Sequence, residues 1–106
     1  MKEVTVQELK SMMDNKEDFQ LIDVREKNEY EFVNIDAELI PVGEFLENAD
    51  KVSTDKKVII HCRSGARSGQ AILAIQAAHG GYENLYNLKG GILAWAKEID
   101  TSLPPY

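Results

Sequence analysis

Cysteine is almost absent from this sequence of 106 residues, in which Cys62 is the only one. A chain with one cysteine cannot form an internal disulfide or a Cys-x-x-Cys redox pair, so any sulfur chemistry requires this thiol and an external partner. Histidine is scarce as well, and His61 and His79 stand apart without the spacing of metal ligands. We therefore expect neither a metal site nor an organic cofactor.

Long apolar runs are also missing. No stretch approaches the roughly 20 apolar residues of a membrane-spanning helix, and residues 1–5 do not resemble a signal peptide, so a cytoplasmic location is expected. The 12 Lys and Arg are outnumbered by 18 Asp and Glu, and the formal net charge of −6 disfavours non-specific binding to nucleic acid. Any anion site must then be a local positive spot. The length predicts a single domain over residues 1–106.

Two compact apolar runs, at residues 19–24 and 57–62, predict buried strands. Their apolar residues are continuous rather than alternating, which is typical of a parallel α/β sheet covered on both faces. Thr5 and Glu8 have the spacing of a capping box and predict a short first helix. The sequence also predicts short helical turns at 28–32 and 43–48, a helix at 70–78, a strand at 84–88 and a closing helix at 92–96. The helix at 70–78 is apolar almost all round, so we expect it to be packed inside the domain.

The polar loop after Cys62 is the strongest candidate for a functional site. A thiol becomes a good nucleophile when cationic neighbours or a helix N-terminus lower its pKa from about 8.5. Backbone N–H groups in this loop can turn inward as an anion-binding nest, and the following helix adds its positive end. Gly65 can supply the positive φ that a tight curl requires. The loop consists of Arg63, Ser64, Gly65, Ala66, Arg67 and Ser68, of which the arginines supply charge and the serines hydroxyl donors.

The alternative interpretation is that Cys62 is a small buried apolar residue at a strand end, as lone intracellular cysteines usually are. The polar loop favours the reactive thiol, because a structural cysteine needs no cationic neighbours. The other chemistry-bearing residues have structural interpretations. They are Asp23 and Arg25 as an ion pair, His61 as a hydrogen-bonded histidine at a strand end, His79 as a helix-dipole partner, and Glu26, Glu29 and Glu31 as a solvated face.

Three separated blocks of the sequence resemble the single-domain rhodaneses. Residues 62–68 (Cys-Arg-Ser-Gly-Ala-Arg-Ser) resemble the active-site loop of that family, residues 23–30 resemble its Asp-Val-Arg-Glu segment, and residues 81–95 resemble its C-terminal signature. One segment departs from the pattern. The family usually has a Gly-His-Ile turn and then a Gly-Ala pair, whereas this chain has Val33-Asn34-Ile35 and a following segment that is one residue shorter. We therefore expect this turn to be built differently.

The resemblance implies a three-layer α/β/α fold with a five-stranded parallel sheet, and a thiosulfate sulfurtransferase activity that uses no cofactor. Cys62 would be the catalytic nucleophile, which takes a sulfur from thiosulfate or a persulfide donor and holds it as a persulfide. Cyanide, a thiol or a sulfur-accepting protein would then receive it. The backbone amides of residues 63–68 would stabilise the persulfide, and Arg63 and Arg67 would attract the anionic donor.

Two other functions compete with this one. Phosphatases and arsenate reductases of related folds resemble a Cys-x5-Arg pattern, and His61 before Cys62 is similar to the His-Cys pair of tyrosine phosphatases. Here Arg67 closes a shorter Cys-x4-Arg spacing, which suits one added sulfur better than a tetrahedral oxyanion. The second alternative is a low-activity sulfur carrier or binding module.

Overall fold

Five short parallel strands form the sheet at the centre of the computed structural model, which describes residues 1–106. The strands are β1 (Glu3–Val4), β2 (Phe19–Asp23), β3 (Glu38–Leu39), β4 (Lys57–His61) and β5 (Leu85–Leu88), in the order β1-β5-β4-β2-β3. The five-stranded parallel sheet is therefore confirmed. The sequence predicted neither β1 nor β3, because two residues are too few to show a periodic pattern.

Four α-helices connect or follow the strands: α1 (Val6–Asp14), α2 (Lys27–Phe32), α3 (Ala66–Ala78) and α4 (Gly91–Glu98). Two 3-10 turns, at Val42–Glu44 and Leu46–Lys51, lie between β3 and β4. The predicted capping box is present at the start of α1, where the Glu8 amide donates to Thr5 Oγ1 at 3.1 Å and the Thr5 amide donates to Glu8 Oε1 at 2.8 Å. None of the helices combines the length and apolar character that crossing a membrane requires.

The central strand β4 buries side chains on both faces of the sheet. Val58 and Ile60 belong to the core shared with α3, whereas Ile59 belongs to the core beneath α1 and α4. Successive side chains of a strand point to opposite faces, so a continuous apolar run must be covered on both. The three-layer α/β/α arrangement is confirmed.

Two expectations about α3 are wrong. The helix begins at Ala66 rather than at residue 70, so Arg67 and Ser68 lie in its first turn. It is also not enclosed, because Leu73 is 59% exposed while Ile72 and Ile75 are buried. The alanines on its outer face tolerate solvent, and they made the helix look more completely apolar than its position requires.

The turn that departs from the rhodanese pattern is closed by Asn34. The Asn34 side chain donates to the Tyr30 carbonyl at 3.0 Å and accepts from the Asp36 amide at 2.9 Å. Asp36 has a φ of +62°, a left-handed conformation in which Asp is one of the better tolerated residues. The Tyr30 hydroxyl donates to the Ala37 carbonyl at 2.7 Å and ties the turn to α2. Side-chain hydrogen bonds of Asn34 and Tyr30 therefore hold this turn together.

Candidate active site

Cys62 lies at the carboxyl end of β4, the middle strand of the sheet. Ligands of open α/β folds usually bind at this edge. The residue is only 1% exposed, and it packs in the core formed with Ala71 and Ile72 of α3. The thiol is therefore recessed beneath the loop that follows it.

The first turn of α4 binds the backbone at the start of the thiol loop, through the carbonyl groups of Cys62 and Arg63. The Ile92 amide donates to the Cys62 carbonyl at 3.0 Å, and the Leu93 amide donates to the Arg63 carbonyl at 3.1 Å. This close approach requires glycine at position 91, where φ is +58° and an added Cβ would lie 2.5 Å from the Arg63 oxygen. Gly91, in the block of sequence that resembles the rhodanese C-terminal signature, thus allows α4 to pack directly against the loop.

The loop curls so that hydrogen-bond donors face the sulfur. Gly65 has a φ of +110°, and its amide donates to Cys62 Sγ at 3.0 Å, while Ser68 Oγ lies 3.4 Å from the same atom. Burial by itself raises the pKa of the Cys62 thiol, but its hydrogen-bonding contact with the Ser68 side chain and hydrogen bonds from nearby backbone amides outweigh burial and hold the pKa below its usual range. Those amides belong to Ser68, Gly65 and Ser64.

Sequence reasoning did not identify Asn87 of β5 as part of the site. Its side chain accepts from the Ser68 hydroxyl at 2.6 Å and donates to the Gly65 carbonyl at 3.0 Å. Asn87 is 6% exposed and lies on the same face of the sheet as α3. In the sequence, Asn87 stands out only as a polar residue inside the short strand at residues 85–88. It points to the thiol loop only when β5 is known to lie beside β4, because a buried amide needs hydrogen-bond partners there.

Arg67 binds Glu29 of α2 instead of facing open solvent. The two side chains form a two-pronged ion pair with N–O distances of 2.6 and 2.9 Å. The hydrogen bond from Arg67 is the main reason that the pKa of Glu29 falls to about 2, and the same pair raises the pKa of Arg67. The assignment of Glu29 to a solvated face is wrong, since this residue is 8% exposed. Participation of Arg67 in donor binding stays a prediction.

Arg63 is the exposed cation of the loop. Its guanidinium lies over the ring of Tyr106, with 5.4 Å between the guanidinium carbon and the ring centroid. The same ring makes an edge contact with Phe32, which is 62% exposed. Arg63 and two aromatic rings therefore form a connected surface beside the thiol loop.

A buried polar cluster supports the loop from the other face of the sheet. Arg25 and Asp23 are fully buried and form an ion pair at 2.8 Å, and Arg25 also donates to the Val33 carbonyl at 2.6 Å. The structural interpretation of this pair is confirmed. The His61 Nδ1 atom lies 3.2 Å from the Cys62 carbonyl, so His61 is the hydrogen-bonded strand-end histidine that was expected.

His61 is an unsuitable partner for the thiol. Burial lowers the pKa of its imidazole, an effect that the charge of Asp23 opposes only in part, and the ring is therefore neutral at physiological pH. Because side chains alternate along a strand, the imidazole of His61 and the thiol of Cys62 point to opposite faces of the sheet. No group of three or more His, Cys, Asp or Glu side chains is arranged to hold a metal ion.

The fold and the site define an α/β protein with one recessed cysteine at the carboxyl edge of its sheet, whose sulfur accepts a backbone hydrogen bond. Residues 5–98 match the rhodanese-like domain family. The chain is 35% identical over 106 residues to a probable adenylyltransferase/sulfurtransferase, MoeZ, of Mycobacterium tuberculosis, a match that covers 97% of this chain and 26% of that protein. It is 35% identical over 96 residues to a sulfurtransferase of Allochromatium vinosum, covering 90% of this chain and 88% of that one.

Solved structures agree with this assignment. The crystal structure of a rhodanese-like domain protein from Staphylococcus aureus has a TM-score of 0.82 and 29% sequence identity, covering 93% of this chain and 95% of that one. The chain belongs to the rhodanese-like family, whose members include proteins named as sulfurtransferases. It spans about a quarter of the length of the mycobacterial relative.

Proposed function

We propose that this protein transfers a sulfane sulfur from thiosulfate or a persulfide donor to a thiophilic acceptor, through a persulfide on Cys62. The observation that carries the proposal is the setting of the thiol. It is the only cysteine, and the Gly65 amide donates to its sulfur at 3.0 Å in a loop whose donors lower its pKa. Such a setting favours the thiolate, which is the nucleophilic form.

The proposed reaction has two displacements. The Cys62 thiolate attacks the outer sulfur of thiosulfate, a new S–S bond forms, and sulfite leaves with the electron pair of the broken S–S bond. The outer sulfur of the resulting persulfide is then attacked by cyanide or a thiol, and the Cys62 thiolate is the leaving group. Because the chain has no second cysteine, the acceptor must come from another molecule. Donors of the loop, such as the Gly65 amide, favour negative charge on the sulfur.

Arg63 is the residue that we propose to attract the anionic donor. Its side chain is exposed next to the thiol loop, whereas both nitrogens of the Arg67 fork are engaged by Glu29. That engagement also argues against phosphatase or arsenate reductase activity, because an oxyanion would have to compete with the Glu29 carboxylate for Arg67.

The recessed thiol favours a second candidate, a sulfur carrier that delivers to a protein acceptor. Cys62 is 1% exposed, so an acceptor must be shaped to reach the sulfur. In a carrier the persulfide forms in full, but small acceptors such as cyanide discharge it slowly. In the sulfurtransferase, thiosulfate and cyanide sustain many turnovers.

Mass spectrometry after incubation with thiosulfate tests both candidates. We expect the protein to gain the mass of one sulfur atom, and Cys62→Ser to abolish both the adduct and thiocyanate formation from cyanide. Turnover by the Ser variant would contradict the mechanism. An aryl phosphate assayed in parallel separates the phosphatase alternative: phosphate release without persulfide formation would replace the proposal with that activity.

A further inference from the structure

A closed ring of hydrogen bonds includes the thiol. The Gly65 amide donates to Cys62 Sγ at 3.0 Å, and the Gly65 carbonyl accepts from Asn87 Nδ2 at 3.0 Å. Asn87 Oδ1 accepts from the Ser68 hydroxyl at 2.6 Å, and Ser68 Oγ lies 3.4 Å from Cys62 Sγ. Cys62, Ser68 and Asn87 are 1%, 0% and 6% exposed, so each polar group depends on its partners within the ring.

The direction of this ring is fixed by the Gly65 carbonyl. A carbonyl oxygen can only accept, so the Asn87 amide must present its nitrogen to Gly65 and its oxygen to Ser68. The single proton of the Ser68 hydroxyl is therefore directed at Asn87. Ser68 offers Cys62 a lone pair, which suits a neutral thiol that donates its own proton.

Ionisation of Cys62 creates a conflict within the ring. The thiolate has no proton to donate and needs donors, so the one proton of Ser68 now has two acceptors, Cys62 Sγ and Asn87 Oδ1. If Ser68 turns to the thiolate, the Asn87 oxygen loses its partner; if it stays, the thiolate faces a lone pair. The first choice leaves the buried Asn87 oxygen without its hydrogen bond, and the second denies the thiolate one of its donors, although it keeps the Gly65 amide; both are unfavourable.

We propose that Asn87 is a positioning residue that sets the pH at which Cys62 ionises, by competing with the thiolate for the Ser68 proton. Asn87 stabilises the neutral thiol, and the reactive state forms when the Ser68 hydroxyl rotates from Asn87 to the sulfur. The thiol proton leaves to solvent, and the Ser68 proton stays on its own oxygen throughout. The effect of Asn87 on the ionisation of Cys62 does not depend on the proposed function. Only its consequence for sulfur transfer rests on that function.

The other titratable or charged groups around the thiol and Asn87 are the same in all the variants that test this proposal. They are Arg67 of α3, Glu29 of α2, His61 of β4, Arg63 of the loop, the Asp23–Arg25 pair at the end of β2, and Glu3 of β1, which pairs with Asn87 in the sheet. None of them forms a hydrogen bond with the side chain of Asn87 or Ser68. The titratable residue of β5 is Tyr86, which lies on the opposite face of the sheet.

Titration of the ultraviolet absorbance of the thiolate tests the proposal, with Cys62→Ser as the blank. Because Cys62 is the only cysteine, the signal reports this thiol alone. Asn87→Ala should lower the ionisation midpoint by about half to one pH unit, roughly a three- to tenfold gain in thiolate at a given pH, since it releases one neutral hydrogen bond. Ser68→Ala should raise the midpoint by a similar amount.

The double variant separates competition for the proton from simple distortion of the loop. When Ser68 is already Ala there is no proton to compete for, so adding Asn87→Ala should leave the midpoint unchanged. Ser68→Thr keeps the hydroxyl and should titrate close to the unmodified protein. The Gly65 carbonyl also accepts from the Gly69 amide at 3.1 Å, so Asn87→Ala does not leave it unpaired.

Three outcomes would overturn the proposal: a higher midpoint in Asn87→Ala, no shift at all, or the same shift with and without the Ser68 hydroxyl. If Asn87→Ala folds poorly in thermal melts, Asn87→Leu fills the vacated volume and carries the same expectation. The expected shifts together with no persulfide after thiosulfate would refute the proposed function and leave the role of Asn87 intact.

Discussion

The ion pair between Glu29 and Arg67 should contribute measurably to stability, and Glu29→Gln tests it. The pKa of Glu29 falls from an ordinary 4.5 to about 2 in the folded protein, chiefly because of the hydrogen bond from Arg67. At about 1.4 kcal/mol for each tenfold change in proton affinity, this corresponds to at most about 3.5 kcal/mol at neutral pH. The Arg67 side chain is 31% exposed, so solvent screening reduces our expectation to about 1–2 kcal/mol.

The contribution should depend on pH in a defined direction. Because the pKa of Glu29 is lowered on folding, the unfolded chain binds this proton more tightly, and the stabilisation is present in full above about pH 4.5. It should decline as the pH falls from there towards 2. We expect denaturant unfolding to show the largest difference between the unmodified protein and Glu29→Gln near pH 7, and a shrinking difference in acid.

Glu31→Gln is the matched control, because it makes the same chemical change on an exposed residue of the same helix. It should alter the free energy of unfolding by no more than about 0.5 kcal/mol. If Glu29→Gln and Glu31→Gln were equally destabilising, or if the effect of Glu29→Gln did not shrink in acid, the ion pair would not be the source of the stabilisation.

Three further predictions concern the thiol loop and its support. Gly91→Ala should destabilise the protein by about 2–4 kcal/mol in denaturant unfolding, because the new Cβ would meet the Arg63 oxygen at 2.5 Å; Gly80→Ala, which has nothing within 4 Å, should be nearly neutral. Arg63→Gln should raise the KM for thiosulfate about three- to tenfold and Arg63→Lys much less; equal effects would show that packing on the aromatic ring matters more than charge. Alkylation of Cys62 should reach half its maximal rate at a lower pH in the folded protein than in denaturant, because hydrogen bonds overcome burial and lower its pKa; a higher midpoint in the folded protein would contradict this reasoning.

Local interactions explain why several features could be read from the sequence. The capping box of Thr5 and Glu8 needs only residues three apart, and the covered strand at 57–62 is visible because its apolar side chains serve both faces of the sheet. The loop after Cys62 could also be predicted from the sequence. Its thiol, the glycine that adopts a positive φ and the start of the helix are all neighbours along the chain.

The sequence predicts the start of α3 at residue 70 rather than at Ala66, because small residues with weak helix propensity occupy its first turn. Ser68 and Gly69 have weak helix propensity, and their position is decided by the packing of the loop and by the hydrogen bond from the Gly69 amide to the Gly65 carbonyl. Local propensity therefore gave the wrong boundary, although it correctly indicated a helix.

The sequence by itself determined that this chain has one cysteine, that this cysteine follows a buried strand in a loop that opens a helix, and that it stands in a rhodanese-like pattern. Only the tertiary structure decided what surrounds that thiol. Glu29 reaches Arg67 across 38 residues of chain, and Asn87 reaches Ser68 across 19, because the sheet places β2 and β5 on either side of β4. Contacts of this kind depend on strand order and on burial, which leave no regular spacing in the sequence.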